Sequence, residues 1–378
     1  EQCDAESALV SVTAVDDGPT ITGQSALETL EEAPLEISLG DLIVTDPDDT
    51  YPEGFTLTVG DGSDYAVDGT AITPAADFVG TLTVPVTVND GELDSNTFEL
   101  EVTVIADSDT DGISDEVELA IGTDPDDADS DDDGVLDGAE VDYDQDTDDD
   151  GLINALDPDS DDDGLADGTE LGVTADERSD DTNLDAGNFR PDADPETTTS
   201  MVDPDSDGDG VKDGNEDSNL SGAVDEGETI PVDEGDAGEG DEPPADSDSD
   251  GLCDALEETV GTDPDDADSD DDGVLDGAEH NFAFDSDLDG DGNALDPDAD
   301  DDGLFDGTEL GVIADDLGEG TDLASGHFVA DADPSTTTSM LKPDTDDGGV
   351  LDGDEDIDGN GSVGENETDP NDGEDDDP

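Results

Sequence analysis

The 378-residue chain carries 123 Asp and Glu against 4 Lys and Arg, a formal net charge of −119, with 30% hydrophobic and 3% aromatic residues and no Trp. That balance excludes a single large apolar core and disfavours nucleic acid and anionic membrane as partners. Two carboxylates about 4 Å apart repel by roughly 4 kcal/mol at an effective dielectric near 20, so cations must belong to any compact state.

Composition alone would also suit a disordered, solvating chain, but the acids are patterned. The sequence begins at Glu1 without Met, which leads us to expect a secretion signal removed from the mature form. No stretch approaches the roughly 18 apolar residues of a membrane span. Cys3 and Cys253 form no framework and no zinc-like spacing.

Residues 1–106 alternate Val, Thr and Leu between Gly, Pro and Asp turns, which predicts strands. They are expected near Thr20–Ile21, Leu35–Leu39, Phe55–Val59, Tyr65–Val67, Ala71–Ile72, Thr81–Val88 and Thr97–Ile105. Seven short strands at this spacing suggest a small antiparallel β-sandwich. The phrases LEEAPLEISLGDLIVTDPDD, FTLTVGDGSDYAVDGTAITPAADFVGTLTVPVTVNDG and FELEVTV resemble the cadherin-like tandem repeats of large bacterial surface proteins, over most of residues 18–106. The resemblance implies an architecture more than an activity. It also makes Asp16, Asp17, Glu31, Glu32, Asp46, Asp48 and Asp90 candidate calcium ligands at turns, where each equally suits a solvated loop.

The segment SVTAVDD, Ser11 to Asp17, nearly repeats EVTVIAD, Glu101 to Asp107, at a spacing of 90 residues. Residues 1–17 are thus either this domain's own first strand or a strand donated to a neighbouring molecule. Donation would give head-to-tail contacts, which do not close and build filaments.

From Asp107 the texture turns to Asp, Gly and Ser, and an internal duplication appears at an offset of 139 residues. GTDPDDADSDDDGVLDGAE recurs from Gly122 at Gly261, TTTSM from Thr197 at Thr336, and Glu228–Thr229 at Glu367–Thr368. The expected domains are therefore 18–106, a first acidic copy 107–245 and a second 246–378, with Glu234 to Pro244 as linker.

Within each copy, acids recur at positions 1, 3, 5 and 9 of twelve-residue windows, with Gly at 6 and Glu at 12. This is calcium-loop spacing: a hard ion takes six to eight oxygens, Gly reverses the backbone, and Glu at 12 binds with both oxygens. The first loop has Asp107, Asp109, Asp111, Asp115 and Glu118, and the second Asp129, Asp131, Asp133, Asp137 and Glu140. The third has Asp146, Asp148, Asp150 and Asn154 but closes on the shorter Asp157, and is expected to be weaker. The fourth uses Asp159, Asp161, Asp163, Asp167 and Glu170, and the fifth Asp205, Asp207, Asp209, Asp213 and Glu216. The sixth, with Asp217, Asn219, Ser221, Asp225 and Glu228, is the least charged of the first copy.

In the second copy the seventh and eighth loops are Asp246, Asp248, Asp250, Asp254 and Glu257, then Asp268, Asp270, Asp272, Asp276 and Glu279. The ninth, Asp285, Asp287, Asp289, Asn293 and Asp296, repeats the Asp closure, and the tenth is Asp298, Asp300, Asp302, Asp306 and Glu309. The eleventh keeps Asp344, Asp346, Asp352 and Glu355 but has Gly348 at position 5; the twelfth keeps Asp356, Asp358, Asn360 and Glu367 but has Gly364 at position 9.

The fourth window starts two residues after the third closes, and the sixth directly after the fifth, so no EF-hand helices fit between them. Such loops, with their GTDP connections at Gly122 and Gly261, resemble thrombospondin type 3 repeats across Asp107 to Glu367. The resemblance implies an elongated array with few short helical turns, stapled by about twelve or more Ca²⁺ ions. The animal repeats are rich in Cys; this chain looks like the bacterial form.

Each loop offers only one or two apolar side chains, such as Val135 with Leu136, so folding is expected to need the ion, with affinities of roughly 10⁻⁴ to 10⁻³ M. That range points outside the cell. Cys3 and Cys253 can pair within a chain, pair between chains or stay free. The inserts Gly172 to Val202 and Gly311 to Leu341 hold TTTS, an O-glycan candidate or a polar loop, and Asn219, Asn360 and Asn366 stand in N-x-Ser/Thr sequons. His280 and His327 are isolated and no catalytic set stands out, so no enzyme is expected. The reading is a secreted calcium-stabilised structural protein, a fibre or matrix subunit, with a spacer or adhesin module and calcium or mineral sequestration as alternatives.

Overall fold

The computed structural model describes residues 15–225, 228–232, 244–315, 317–318, 320–364 and 367–373. Most of the N-terminal segment, Cys3, nearly all of the linker and Asn366 lie outside these. The chain divides into two compact units that part between Ala120 and Ile121. The first is mainly strand; among the described residues the second is irregular backbone with few, short helices.

In the first unit the strands are β1 (Thr20–Gln24), β2 (Glu28–Leu30), β3 (Leu35–Glu36), β4 (Leu42–Thr45), β5 (Thr56–Val59), β6 (Tyr65–Asp68), β7 (Ala71–Pro74), β8 (Gly80–Asn89) and β9 (Phe98–Ile105). They form a pair β1-β4, a four-stranded sheet β2-β9-β8-β5 and a three-stranded sheet β3-β7-β6. The period-2 pattern explains the centre: Leu82, Val84, Val86 and Val88 of β8 and Leu100, Val102 and Val104 of β9 are buried, while the Thr and Glu residues between them face outward. All three sheets share one core, which adds Ile21, Ile37, Leu42, Phe55, Val59, Tyr65 and Ile72. Each such burial stabilises the fold by about 1.5–3 kcal/mol.

Three details correct the expectation from sequence. Among the described residues there are nine strands, since Glu28–Leu30 and Leu42–Thr45 also pair. The first of these lies parallel to β9, so the unit is not wholly antiparallel. A three-residue strand beginning with Glu carries no alternation, and its partner lies some 75 residues away, from Glu28 to Thr103. The expected strand Leu35–Leu39 stops at Glu36, because Ser38 and Asp41 close a capping box that turns the chain.

Helix α1 (Asp115–Ile121) ends the first unit. The second holds α2 (Asp167–Glu170), α3 (Asp213–Glu216), α4 (Asp254–Val260), α5 (Asp306–Glu309) and α6 (Asp352–Glu355), all but α4 a single turn. The string of loops expected from sequence does not anticipate how the two copies meet. Phe282 of the second copy covers Gly164 of the first, where an added Cβ would sit 2.5 Å from the ring. Leu165, Leu220, Leu252, Cys253, Leu256, Phe282 and Ala294 form a joint apolar cluster. Arg190 stacks 4.5 Å over Phe284 and donates to the Ala283 carbonyl at 2.5 Å. The counterpart positions 141, 143 and 145 hold Val, Tyr and Gln where 280, 282 and 284 hold His, Phe and Phe, so the duplicated text hides the contact.

Candidate metal centres

All twelve acidic windows share one backbone path. Position 4 and position 6 both have positive φ, as at Asp162 (56°) and Gly164 (101°) of the fourth loop. Gly at 6 is the device read from sequence; the left-handed residue at 4 has no such marker, being Thr, Asp, Ser, Leu or Gly. Carboxylates tie the path from within. Position 1 accepts the position 6 N–H, as Asp159 Oδ2 does from Gly164 at 2.9 Å, and position 5 accepts from position 7, as Asp163 Oδ1 does from Leu165 at 2.8 Å. Asp159 Oδ1 also accepts the Asp163 N–H, at 3.2 Å.

Position 9 behaves differently from the sequence reading. Its carboxylate is clasped by position 2 of its own loop: Ser160 N–H donates to Asp167 Oδ1 at 3.0 Å and Ser160 Oγ to Oδ2 at 2.5 Å. The same clasp recurs at Ser130 with Asp137, Ser206 with Asp213, Ser269 with Asp276 and Thr345 with Asp352. Ten of the twelve windows have Ser or Thr at position 2, a regularity legible in the sequence whose role only the fold reveals.

So held, Asp167, Asp213, Asp306 and Asp352 lie beside an earlier loop as well as their own. Glu140 of the second loop lies among Asp131, Asp133, Asp137 and Asp167, the last from the fourth loop. Its counterpart Glu279 lies among Asp272, Asp306, Asp270 and Asp276. The Gly168 N–H donates to Asp133 Oδ2, as Gly307 does to Asp272 Oδ2. One step on, Gly214 donates to Asp163 Oδ2 at 3.2 Å and Gly353 to Asp302 Oδ2 at 2.8 Å, bringing Asp213 to the fourth loop's acids and Asp352 to the tenth's.

These acids are interior residues. In the second, fourth and eighth loops all five predicted ligands are buried, and in the tenth all but the half-buried Asp298. Glu118, Glu216, Glu257 and Glu355 are also buried. Both carboxylate oxygens of Glu140 and Glu257, and Oε2 of Glu170 and Glu309, have no hydrogen-bond partner. Burial, then the neighbouring Asp163 and Asp213, pushes Asp161 up to about 9; burial and Asp272 push Asp270 up to about 9 and Asp306 up to about 10. Asp131, Asp157, Asp159 and Asp167 are likewise held well above the usual carboxylate range by burial and by neighbouring carboxylates. Carboxylate oxygens of Asp107, Asp109 and Asp111, and of Asp129, Asp131 and Asp133, lie within 4.8 Å of one another. Several of these clusters can hold a metal ion.

The remaining loops are more open. Asp146, Asp205, Asp246, Asp285 and Asp344 are half-buried or exposed, as are Asp148, Asp207, Asp209, Asp248, Asp287, Asp289, Asp296 and Asp346; Asp150, Asp250 and Asp157 are buried. Asn154 and Asn293 are buried and reach back to the Val141 and His280 carbonyls. Asp115 and Asp254 accept from Ser108 and Ser247. In the sixth loop Asn219 Nδ2 donates to Glu228 Oε1 at 2.7 Å and to Asp225 Oδ2 at 3.2 Å, and Ser221 Oγ takes the Ala223 N–H at 3.2 Å, so the loop satisfies itself. In the twelfth Glu367 accepts from Gly364 and Asn360 from Ser362, while Asp358 is exposed. Asp217 and Asp356 stay buried.

In the first unit, Asp16, Asp49 and Asp90 place carboxylate oxygens within 4.8 Å of one another. Asp49 escaped the sequence reading. Asp46 instead orders the turn by accepting the Asp48 and Asp49 N–H groups at 2.8 Å, Asp48 accepts from Asp17, and Glu31 from Asp107. Glu32 occupies a turn at φ 56°.

The inserts clamp the loops. Thr182 and Thr321 donate to Asp129 and Asp268, and Thr199 and Thr338 to Glu170 and Glu309 at 2.8 and 3.0 Å. Thr197 and Thr336 bond the Gly222 and Gly361 carbonyls, which leaves Thr198 and Thr337 exposed. Cys253 is a buried free thiol facing the Asn215 carbonyl, and His327 Nδ1 bonds the Asp270 carbonyl at 2.6 Å. No protein-family model matches the chain, and no curated protein matches it.

Proposed function

We propose that the chain is an extracellular structural protein whose second unit is a thrombospondin type 3-like array of calcium loops, fronted by a cadherin-like β-sandwich. The observation that carries this is the repeated burial, in two copies, of carboxylates that have neither a counter-charge nor a hydrogen-bond partner. A buried unpaired charge is expensive, and it is offset either by taking up a proton or by coordinating a cation, of which only the cation leaves so many carboxylates charged. Oxygen-only donor sets favour hard ions, calcium above all, because the many carboxylates and free carbonyls suit six to eight ligands. Four cationic side chains cannot substitute for the metal. Calcium would then act as the core, giving a module that is stiff where the ion is plentiful and loose where it is scarce. Assembly into a cell-surface fibre through the N-terminal segment belongs to the same reading.

Equilibrium dialysis of the full chain against calcium, followed by circular dichroism, tests it. About twelve ions with midpoints of roughly 10⁻⁴ to 10⁻³ M and a concerted spectral change are expected. An unchanged spectrum between chelator and saturating calcium would overturn the reading. Electron microscopy of the chain with and without residues 1–17 tests the fibre: filaments formed without that segment would rule out strand donation.

A further inference from the structure

We propose that Asn281, a residue of the second copy, is a metal ligand of the third loop in the first copy, so that this centre is completed across the boundary between copies. The proposal rests on the calcium-loop reading above. The third loop, like the ninth, closes on an Asp, here Asp157, which is too short to bind as Glu does and leaves an oxygen to be found elsewhere. Asn281 is 2% exposed and sits on this loop: its Nδ2 donates to Asp157 Oδ1 at 2.9 Å and its backbone N–H to Asp162 Oδ1 at 2.7 Å. Its Oδ1 is buried with no hydrogen-bond partner. A buried amide oxygen left unpaired among carboxylates points to a cation.

The neighbour holds it there. His280 Nδ1 lies 2.6 Å from Asp162 Oδ2 and 3.8 Å from Asp148 Oδ2, and the ligand atoms of these three residues are all within 4.8 Å of one another. A neutral amide adds an oxygen without adding to the repulsion of Asp148, Asp150 and Asp157. The ninth loop, of the same ligand types, is the internal comparison. Asp150 and Asp157 are 6% and 1% exposed, whereas their counterparts Asp289 and Asp296 are exposed and half-buried. The counterpart of Asn281 in the first copy is Asp142, which is exposed. Two loops that read alike are therefore expected to differ, the third binding more tightly than the ninth.

Terbium luminescence of the full chain provides a local readout, because Tyr143 lies three residues before the third loop and its carbonyl takes the Ala155 N–H. The signal of this site is the calcium-competable part lost in Tyr143→Phe. Asn281→Ala is expected to weaken that site at least about tenfold, while Asn281→Asp, which keeps an oxygen ligand, holds it at or below the wild-type dissociation constant. If Asn281 served only as a hydrogen-bond donor to Asp157, the Asp variant would place carboxylate against carboxylate and lose as much as Ala. That result, or an Ala variant within about twofold of wild type, overturns the proposal and leaves the calcium reading standing. A wild-type chain that binds no calcium by dialysis overturns both.

Discussion

The two units fill their interiors with opposite chemistry. Ile72, Val84, Leu100 and Val102 of the first are no more exposed than Asp129, Asp159, Glu170 and Glu257 of the second. An apolar interior needs nothing but the chain, because water supplies the driving force. A carboxylate interior lacks that force, and its own charges oppose it. On the proposed calcium reading, burial in this molecule would record two separate forms of stability, one intrinsic and one borrowed from solution.

Chelation should separate them most sharply. We expect hydrogen exchange of the full chain in chelator to collapse protection across residues 121–378 while amides of β8 and β9 stay protected, because their ladder rests on the apolar core. Equal protection of both units in chelator would remove the distinction.

Acid should partly replace the metal. Asp161, Asp270 and Asp306, at about 9, 9 and 10 when folded without metal, return to about 3.9 when unfolded. Between those values the folded state holds more protons, so metal-free stability is greatest at the acid end and is lost as pH rises toward 9. In calcium the sign inverts, since the ion binds the deprotonated ligands. Small-angle scattering of chelated protein should accordingly show a more compact second unit at pH 5 than at pH 8, and the reverse trend in saturating calcium.

How much of this was legible depends on range. The long alternating strands β8 and β9, the loop spacing and the duplication can be read directly, since each is a local period. What could not be read is non-local: Glu28–Leu30 finding β9, Asp49 joining Asp16 and Asp90, His280 and Asn281 crossing to the first copy. Position 9 shows the limit best. Its spacing assigns it to its own loop, and only the Ser160 clasp and the packing of loop on loop turn Asp167 toward Asp133 and Glu140.

That reassignment gives the third way to sharpen the contrast. In an apolar core a substitution is felt locally as lost packing, whereas here it should be felt one loop away. Asp167→Asn keeps the acceptor for Ser160 N–H but removes charge from the cluster around Glu140. Calcium titration of the full chain should show one site weakened by about tenfold. In combination with Glu140→Gln the loss should not add, because both act on the same cluster, whereas with Glu257→Gln, which lies among the seventh loop's acids, it should.

The smallest effect compares two glycines that the duplication makes equivalent. Gly164 and Gly303 both occupy position 6 at φ 101° and 105°, so alanine at either carries a backbone cost of about 1–2 kcal/mol. Around Gly303 an added Cβ meets nothing within 4 Å; at Gly164 it meets the Phe282 ring at 2.5 Å. Gly303→Ala should therefore lower the calcium-loaded melting temperature by the backbone cost alone. Gly164→Ala should add the displacement of Phe282, and with it loosen the apolar cluster the copies share, an excess that Phe282→Ala would abolish. Equal losses at the two glycines would mean that the copies do not depend on that contact or on the apolar cluster behind it.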